Sequence, residues 1–104
     1  MLVIKKLAKQ IKEEICKAEA YARDALDYKD KDKVLADAYF AAANDRLRDM
    51  DLFHEQVVRI IANYRKEKGE PPADMQARYD YIHEEQIEDV REVRILLELY
   101  KSNI

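Results

Sequence analysis

The feature that most restricts how this chain can fold is its scarcity of turn-forming residues. The 104 residues include one glycine and two prolines, and all three lie within residues 69–72. An all-β chain needs a turn about every 8–12 residues, and such turns rely on glycine and proline. The sequence therefore excludes an all-β fold and favours a few long helices with one marked interruption.

Apolar side chains recur every three or four positions along three segments, a period that is typical of amphipathic helices. We predict helices over about residues 3–28, 34–68 and 73–100. Asp30 or Asp32 is the expected N-cap of the second helix, and Gly69 lies just past its end. Because such short connections make neighbouring helices antiparallel, the predicted fold is all-α. It is a single domain over residues 1–104, with three long antiparallel helices that run up, down and up.

The second predicted helix is apolar over more than one face. Outside its main stripe it carries Leu35, Tyr39, Phe53, Val58 and Ile60. A helix with so wide an apolar arc needs more than one neighbour to cover it. We therefore predict a homo-oligomer, most simply a dimer, that completes the bundle. In the alternative interpretation the chain is a monomer whose tyrosines and long Lys and Arg stems cover the helix flanks.

Charge and length exclude several classes of function. The 19 basic and 22 acidic residues are interspersed, with a net charge of −3, so the basic stripe of a nucleic-acid-binding protein is missing. No apolar run approaches the ~20 residues that span a bilayer. The first residues lack the apolar segment and cleavage site of a signal peptide, and the single cysteine, Cys16, excludes an internal disulfide. We expect a cytoplasmic protein that binds neither nucleic acid nor a membrane.

Polar residues interrupt the apolar stripes and form the candidate site. Buried ionisable groups cost free energy unless they are paired, metal-bound or neutral, so each of them needs a partner. The expected partners of Arg46 are Glu14 across the helix interface and Asp49 one turn along the same helix. We predict a structural polar cluster whose members are Glu14, Arg46, Asp49, His54 and Gln86.

Both histidines of the chain fall in apolar stripes. Antiparallel packing about the turn at residues 69–72 brings His54 close to Gln86 and His83. A hydrogen bond within either pair is one interpretation, and a two-histidine metal or proton site is the other.

Carboxylates and histidines spaced three residues apart on facing helices are also the ligand pattern of a carboxylate-bridged di-metal centre. Oxygen ligands combined with imidazole suit iron or manganese. In this alternative, the candidate metal ligands are Glu14, Asp49, Asp51, His54 and His83.

The segment ADAYFAAANDRLRDMDLFH, residues 36–54, resembles the second helix of ferritin-like, rubrerythrin-type proteins, and IKEEICKAEAY, residues 11–21, resembles their first helix. The resemblance implies a ferritin-like bundle that binds iron or manganese, with one inward glutamate from the first helix. Glu14 matches that glutamate best and Glu19 second. The whole chain, including GEPPADM at residues 69–75, also resembles a group of small bacterial and prophage proteins without an assigned function.

The departure from the ferritin-like pattern lies in the second helix. Arg46 and Asp49 stand where that family carries its Glu-x-x-His pair. An arginine has no lone pair for a metal and stays protonated. A guanidinium between two carboxylates therefore predicts a salt-bridged cluster in place of a metal site.

These features favour a non-enzymatic helical scaffold or interaction protein of ferritin-like ancestry, without catalytic residues or a cofactor, whose partner is a second copy or another protein. The alternative is an iron- or manganese-binding redox or metal-handling protein with a rebuilt site. A third interpretation is a DNA-mimicking regulatory protein that acts through an acidic face of the third helix. That face carries Glu84, Glu85, Glu88, Asp89 and Glu92, and it is interrupted by Arg91 and Arg94.

Overall fold

Three helices make up most of the chain in a computed structural model, which describes residues 2–102. They are α1 (Leu2–Tyr28), α2 (Lys33–Lys68) and α3 (Ala73–Lys101), and residues 2–102 contain no strand. The all-helical prediction is confirmed, and each helix begins and ends within one residue of its predicted bounds. The remaining residues of the predicted domain, 1 and 103–104, lie outside the described residues. No helix in the described part of the chain is long and apolar enough to cross a membrane.

Local chemistry explains where α2 begins and ends. Asp32 caps its N-terminus, with a side-chain oxygen that accepts a hydrogen bond from the backbone N–H of Leu35 at 3.2 Å. At the other end, the backbone N–H of Gly69 donates to the carbonyl of Arg65 at 3.0 Å. Gly69 has a φ of 80°, a conformation that side-chain-bearing residues rarely adopt. The prolines that follow then prevent the helix from continuing, and Pro72 is the N-cap of α3.

Helix α1 packs along both of the other helices, whereas α2 and α3 approach each other at only a few positions. Small residues mediate the close contact of α1 with α2. Ala18 and Ala22 of α1 are fully buried in one cluster with Ala43 of α2, and Ala25 is buried with Ala36. Alanines at such positions let two helix axes approach closely. The molecule is elongated, with extents of 55 × 18 × 17 Å.

The buried side chains are concentrated at one end of the molecule. Along α2 the last buried residue is Met50, and along α3 the first is Val93, so residues 51–92 contain no buried side chain. We call residues 11–50 and 93–102 the closed end. The open end comprises residues 2–10 and 51–92.

Burial departs from the predicted stripes in several places. The polar residues of the stripes were expected inside, yet among residues 2–102 no polar or charged residue is buried. Glu14, His54 and Gln86 are half-buried, and His83 is exposed. The reason is the wide separation of α2 and α3, which leaves the stripe positions between them open to solvent. The period predicts an apolar stripe of α1 through Ile4, Leu7, Ile11, Ala18, Tyr21, Ala25 and Tyr28. Ile15 lies outside that stripe and is nevertheless buried in the core.

Candidate functional site

Arg46 of α2 lies between two carboxylates at the closed end. Its Nη1 is 3.3 Å from Oε2 of Glu14 on α1, and its Nη2 is 3.0 Å from Oδ2 of Asp49. Antiparallel packing places Glu14 opposite Arg46, and the three-residue spacing places Asp49 on the same face of α2. Three of the five residues of the predicted polar cluster therefore lie together.

The contact between Arg46 and Glu14 is an ion pair without hydrogen-bond geometry. The Glu14 side chain is 13% exposed, and its buried Oε2 has no hydrogen-bond partner although the guanidinium nitrogen is 3.3 Å away. A carboxylate in this environment needs a nearby cation because desolvation disfavours its charge. Arg46 supplies that cation permanently, since a guanidinium stays protonated in proteins.

The two histidines lie together at the open end. The ring centroids of His54 on α2 and His83 on α3 are 5.3 Å apart, and the ring planes are inclined by 44°. Gln86, which the sequence places near His54, instead donates a hydrogen bond from its amide to the carbonyl of Ala8 at 3.4 Å. Gln86 therefore links α3 to α1. The histidines form one of the side-chain contacts between α2 and α3 at the open end, and a hydrogen bond from Arg65 to Gln76 at 2.9 Å is another.

The five candidate metal ligands are divided among three places. Glu14 and Asp49 contact Arg46, whereas His54 and His83 pair at the open end. Asp51 lies along the groove beside the histidines. Within residues 2–102, no group of three or more His, Cys, Asp or Glu side chains is placed to hold a metal ion. These residues therefore do not fit a carboxylate-bridged pair of iron or manganese ions.

A groove of about 360 Å³ runs between α2 and α3. Its walls are lined mainly by Met50, Asp51, His54, Ile87, Val90, Arg91 and Arg94. A neighbouring cavity of about 380 Å³ shares both histidines and reaches α1 at Ile4 and Ile11. Two large apolar side chains remain well exposed along these walls, with Val58 at 55% and Ile87 at 46%. The open end therefore presents a mostly apolar concave surface to solvent.

The two helices of the open end carry opposite charge. Residues 56–68 of α2 have four basic side chains and one acidic side chain. Residues 74–92 of α3 have seven acidic side chains and two basic ones. Residues 56–68 and residues 74–92 therefore have opposite net charge. The charged residues that line the groove itself are Asp51 on α2 and Arg91 and Arg94 on α3.

A second charged cluster, which the sequence analysis missed, secures the C-terminal turn of α3. The buried hydroxyl group of Tyr100 donates to Oδ1 of Asp37, and Nζ of Lys33 donates to the same hydroxyl at 3.1 Å. Lys33 and Asp37 also form an ion pair at 3.0 Å. Their spacing of one helical turn is the sequence signal that was available. It does not reveal that Tyr100 completes the cluster.

These contacts shift the pKa values of all three groups. The hydrogen bond from Tyr100, and then that from Lys33, holds the pKa of Asp37 below its ordinary value. Burial, and then the hydrogen bond to Asp37, raises the pKa of Tyr100. The hydrogen bonds of Lys33 with Tyr100 and Asp37 raise its pKa as well. The arrangement therefore favours a carboxylate, a neutral phenol and an ammonium group at neutral pH.

Further contacts hold the same turn. Lys29 donates a hydrogen bond to the carbonyl of Ser102, and the Nζ of Lys33 lies 4.6 Å from the centre of the Tyr100 ring. The ring of Phe40 stacks on Tyr100 with centroids 4.8 Å apart. This cluster is structural, because its groups saturate one another and join α3 to the start of α2.

The groove at the open end is the feature of this chain best suited to binding, because it combines exposed apolar side chains with charged walls. The Arg46 cluster and the Tyr100 cluster instead join helices to one another. Comparison of the chain with protein-family models, with curated proteins and with solved structures found no match.

Proposed function

We propose that this chain is a non-enzymatic helical scaffold, an interaction protein that associates with a second copy of itself through the open end. One observation carries the proposal: residues 51–92 contain no buried side chain, and large apolar side chains there, such as Val58 and Ile87, are exposed. Long helices whose apolar side chains are only partly covered gain free energy when a partner helix removes those side chains from water. The prediction of a homo-oligomer rests on the same reasoning.

Charge complementarity favours a second copy as the occupant of the groove. In a two-fold symmetric dimer the basic part of α2 in one copy faces the acidic part of α3 in the other, and the reciprocal contact is identical. Both contacts are then attractive at once. The same arrangement places Val58 and Ile87 of each copy at the centre of the interface, where both are exposed in the single chain.

The ferritin-like resemblance enters this proposal as ancestry. An ancestral metal site that lost its Glu-x-x-His pair would leave a buried glutamate in need of a cation, and Arg46 lies 3.3 Å from Glu14. The alternative of iron or manganese handling requires ligands to converge, and the five candidates are divided among three places. We therefore favour the scaffold.

Metal content tests this choice directly. Untagged protein is incubated anaerobically with Fe²⁺ and Mn²⁺, desalted and analysed for both metals. We expect no stoichiometric iron or manganese in the wild type. One or two retained equivalents per chain that are lost in a Glu14→Gln variant would contradict the scaffold proposal and support the metal-handling alternative, because Glu14 lies apart from the two histidines. The double variant Arg46→Glu/Asp49→His restores the Glu-x-x-His pair of the ferritin-like pattern, and its metal content is measured beside that of the wild type.

Sedimentation velocity tests the proposed interface. Val58→Glu and Ile87→Glu each place a charge on the groove wall, and we expect both variants to sediment as monomers while the wild type sediments as a dimer. Leu52→Glu is the matched control, because Leu52 is equally exposed at 57% on α2 but does not line the groove. A monomeric wild type, or equal loss of dimer in the control, would overturn the interface.

Charge reversal tests whether α2 of one copy contacts α3 of the other copy. One variant, Arg59→Glu/Lys66→Glu, makes the open part of α2 acidic. Another, Glu84→Lys/Glu85→Lys/Glu88→Lys, makes that of α3 basic, because residues 74–92 then have more basic than acidic side chains. We expect each variant to be monomeric alone and the two to form a mixed dimer, because every inter-copy contact is then again between opposite charges. Failure of the mixture to associate would contradict the proposed pairing of α2 with α3.

A further inference from the structure

We propose that His54 and His83 form a two-imidazole clamp for a divalent transition metal, with Zn²⁺ as the probe ion, that links α2 to α3. This site differs from the carboxylate-bridged centre considered above, because its protein ligands are two nitrogen atoms. It also does not depend on self-association, because both histidines belong to the same chain.

The separation of the two rings matches that of imidazoles sharing one metal ion. Zinc–nitrogen distances are about 2.0–2.1 Å, so two imidazoles on a tetrahedral ion have their ring centroids about 5 Å apart. The observed separation of His54 and His83 is 5.3 Å. The rings are inclined by 44° rather than parallel, so they are not stacked face to face.

The position of the pair allows an ion to enter. His83 is exposed, His54 is half-buried, and both line the groove between α2 and α3. An ion held by two imidazoles there keeps its other coordination positions for water. Arg91 and Arg94 share the groove and disfavour a cation, but Arg91 is paired with Glu88 at 2.9 Å, which offsets one of these charges.

The ligand chemistry selects the class of metal. Neutral imidazole suits zinc, copper and nickel, whereas magnesium, calcium and manganese prefer oxygen ligands. We therefore expect Zn²⁺ to bind and Mg²⁺ not to compete with it. Because the metal would join two helices that contact each other at only a few positions, bound zinc is expected to stabilise the open end.

Equilibrium dialysis of the untagged chain against Zn²⁺ tests the clamp. The chain has two histidines, so the variant that lacks both has no imidazole and defines the background. We expect about one zinc per wild-type chain. Either His54→Gln or His83→Gln should weaken zinc binding by at least about tenfold, because each variant removes one of the two protein ligands of the chelated ion. Mg²⁺ in excess should leave the wild-type affinity unchanged.

Two further measurements separate the clamp from other zinc binding. Cys16→Ser is the control for a thiol ligand, because Cys16 is the exposed free cysteine of α1, and it should leave the affinity unchanged. Zinc should also shift the imidazole NMR signals of both histidines together, while circular dichroism shows that each variant stays folded. The proposal would be overturned if the wild type bound no zinc, if either single-histidine variant kept the full affinity, or if zinc binding depended on Cys16.

Discussion

The closed and open ends of this molecule use the same helical period but bury very different amounts of side chain. At the closed end, Leu47, Val93 and Leu97 occupy stripe positions and are buried. At the open end, His54 and His83 occupy equivalent stripe positions and are not. The comparison teaches that the period determines which face of a helix points inward, whereas the distance to the neighbouring helix determines whether that face is covered.

The largest difference between the two ends should appear when an apolar side chain is truncated. Leu97→Ala removes a buried side chain of the closed end and should cost about 2–5 kcal/mol of unfolding free energy. Ile87→Ala removes a side chain that is 46% exposed at the open end and should cost less than about 1 kcal/mol. Urea denaturation at the lowest workable protein concentration measures both. Equal losses would mean that the two ends are packed alike.

The Arg46 cluster, which consists of Glu14, Arg46 and Asp49, extends the comparison because it places charged side chains at the closed end. Arg46→Met leaves the Glu14 carboxylate without its cation and should cost about 2 kcal/mol, less than a fully buried pair because Arg46 is one-third exposed. The double variant Arg46→Met/Glu14→Leu should recover most of this loss.

Arg48→Met provides the control for this experiment. Arg48 pairs with Asp45 at the same three-residue spacing, but both side chains are more than half exposed. Its loss should be below about 0.5 kcal/mol in the same urea denaturation. If Arg46→Met cost no more than Arg48→Met, the cluster would make no specific contribution to the closed end.

Tyr100→Phe tests how the closed end holds the last turn of α3. We expect a loss smaller than that of Arg46→Met, because the ring packing is kept and only the hydrogen bonds to Asp37 and Lys33 disappear. The advantage of the wild type over this variant should depend on pH. Urea midpoints measured across the pH range give that dependence.

The pKa shifts give the direction of each change. The lowered pKa of Asp37 means that its contribution is present above the unfolded value of about 4 and is lost as the pH falls through the folded value. The raised pKa of Tyr100 means that its contribution is present below about pH 10 and is lost as the pH rises through the folded value. The advantage should therefore be flat near neutrality and shrink at both extremes. A constant advantage at all pH values would contradict the hydrogen-bonded cluster.

Gly69→Ala acts at the open end, through the backbone conformation of the turn between α2 and α3. The φ of 80° disfavours any residue with a Cβ, while an added Cβ would meet no other atom within 4 Å. The expected loss is therefore the cost of the backbone conformation alone, about 1–3 kcal/mol, because φ 80° with ψ −164° is a region that essentially only glycine adopts. Thermal unfolding followed by circular dichroism measures it. A neutral result would mean that the turn between α2 and α3 relaxes without cost.

Local chemistry made the helices predictable from the sequence. Asp32 caps α2 and Gly69 ends it through short-range contacts, and both can be read from neighbouring residues. The nearness of Arg46 to Glu14 and of His54 to His83 also follows from helical period and short connections. These inferences need only spacing along a helix and an antiparallel partner.

The open end could not be predicted in the same way. Val57 and Ile61 repeat with the same period as Leu47, so the sequence pattern continues unchanged past the last buried residue of α2. Whether such a face is covered depends on the distance between α2 and α3, which spacing does not encode. The Tyr100 cluster was missed for a related reason, because it depends on how α3 is rotated against the start of α2.

The central position of α1 has a consequence for the order of folding. Its contacts with α2 close a connection of only four residues, 29–32, whereas its hydrogen bond with α3 joins Ala8 to Gln86, 78 positions apart. Closing the longer loop costs more chain entropy, and contacts between distant residues slow folding. We therefore expect the α1–α2 hairpin to form first and α3 to dock onto it. The contact of Lys29 with Ser102 then forms late, as the final turn of α3 reaches the first connection.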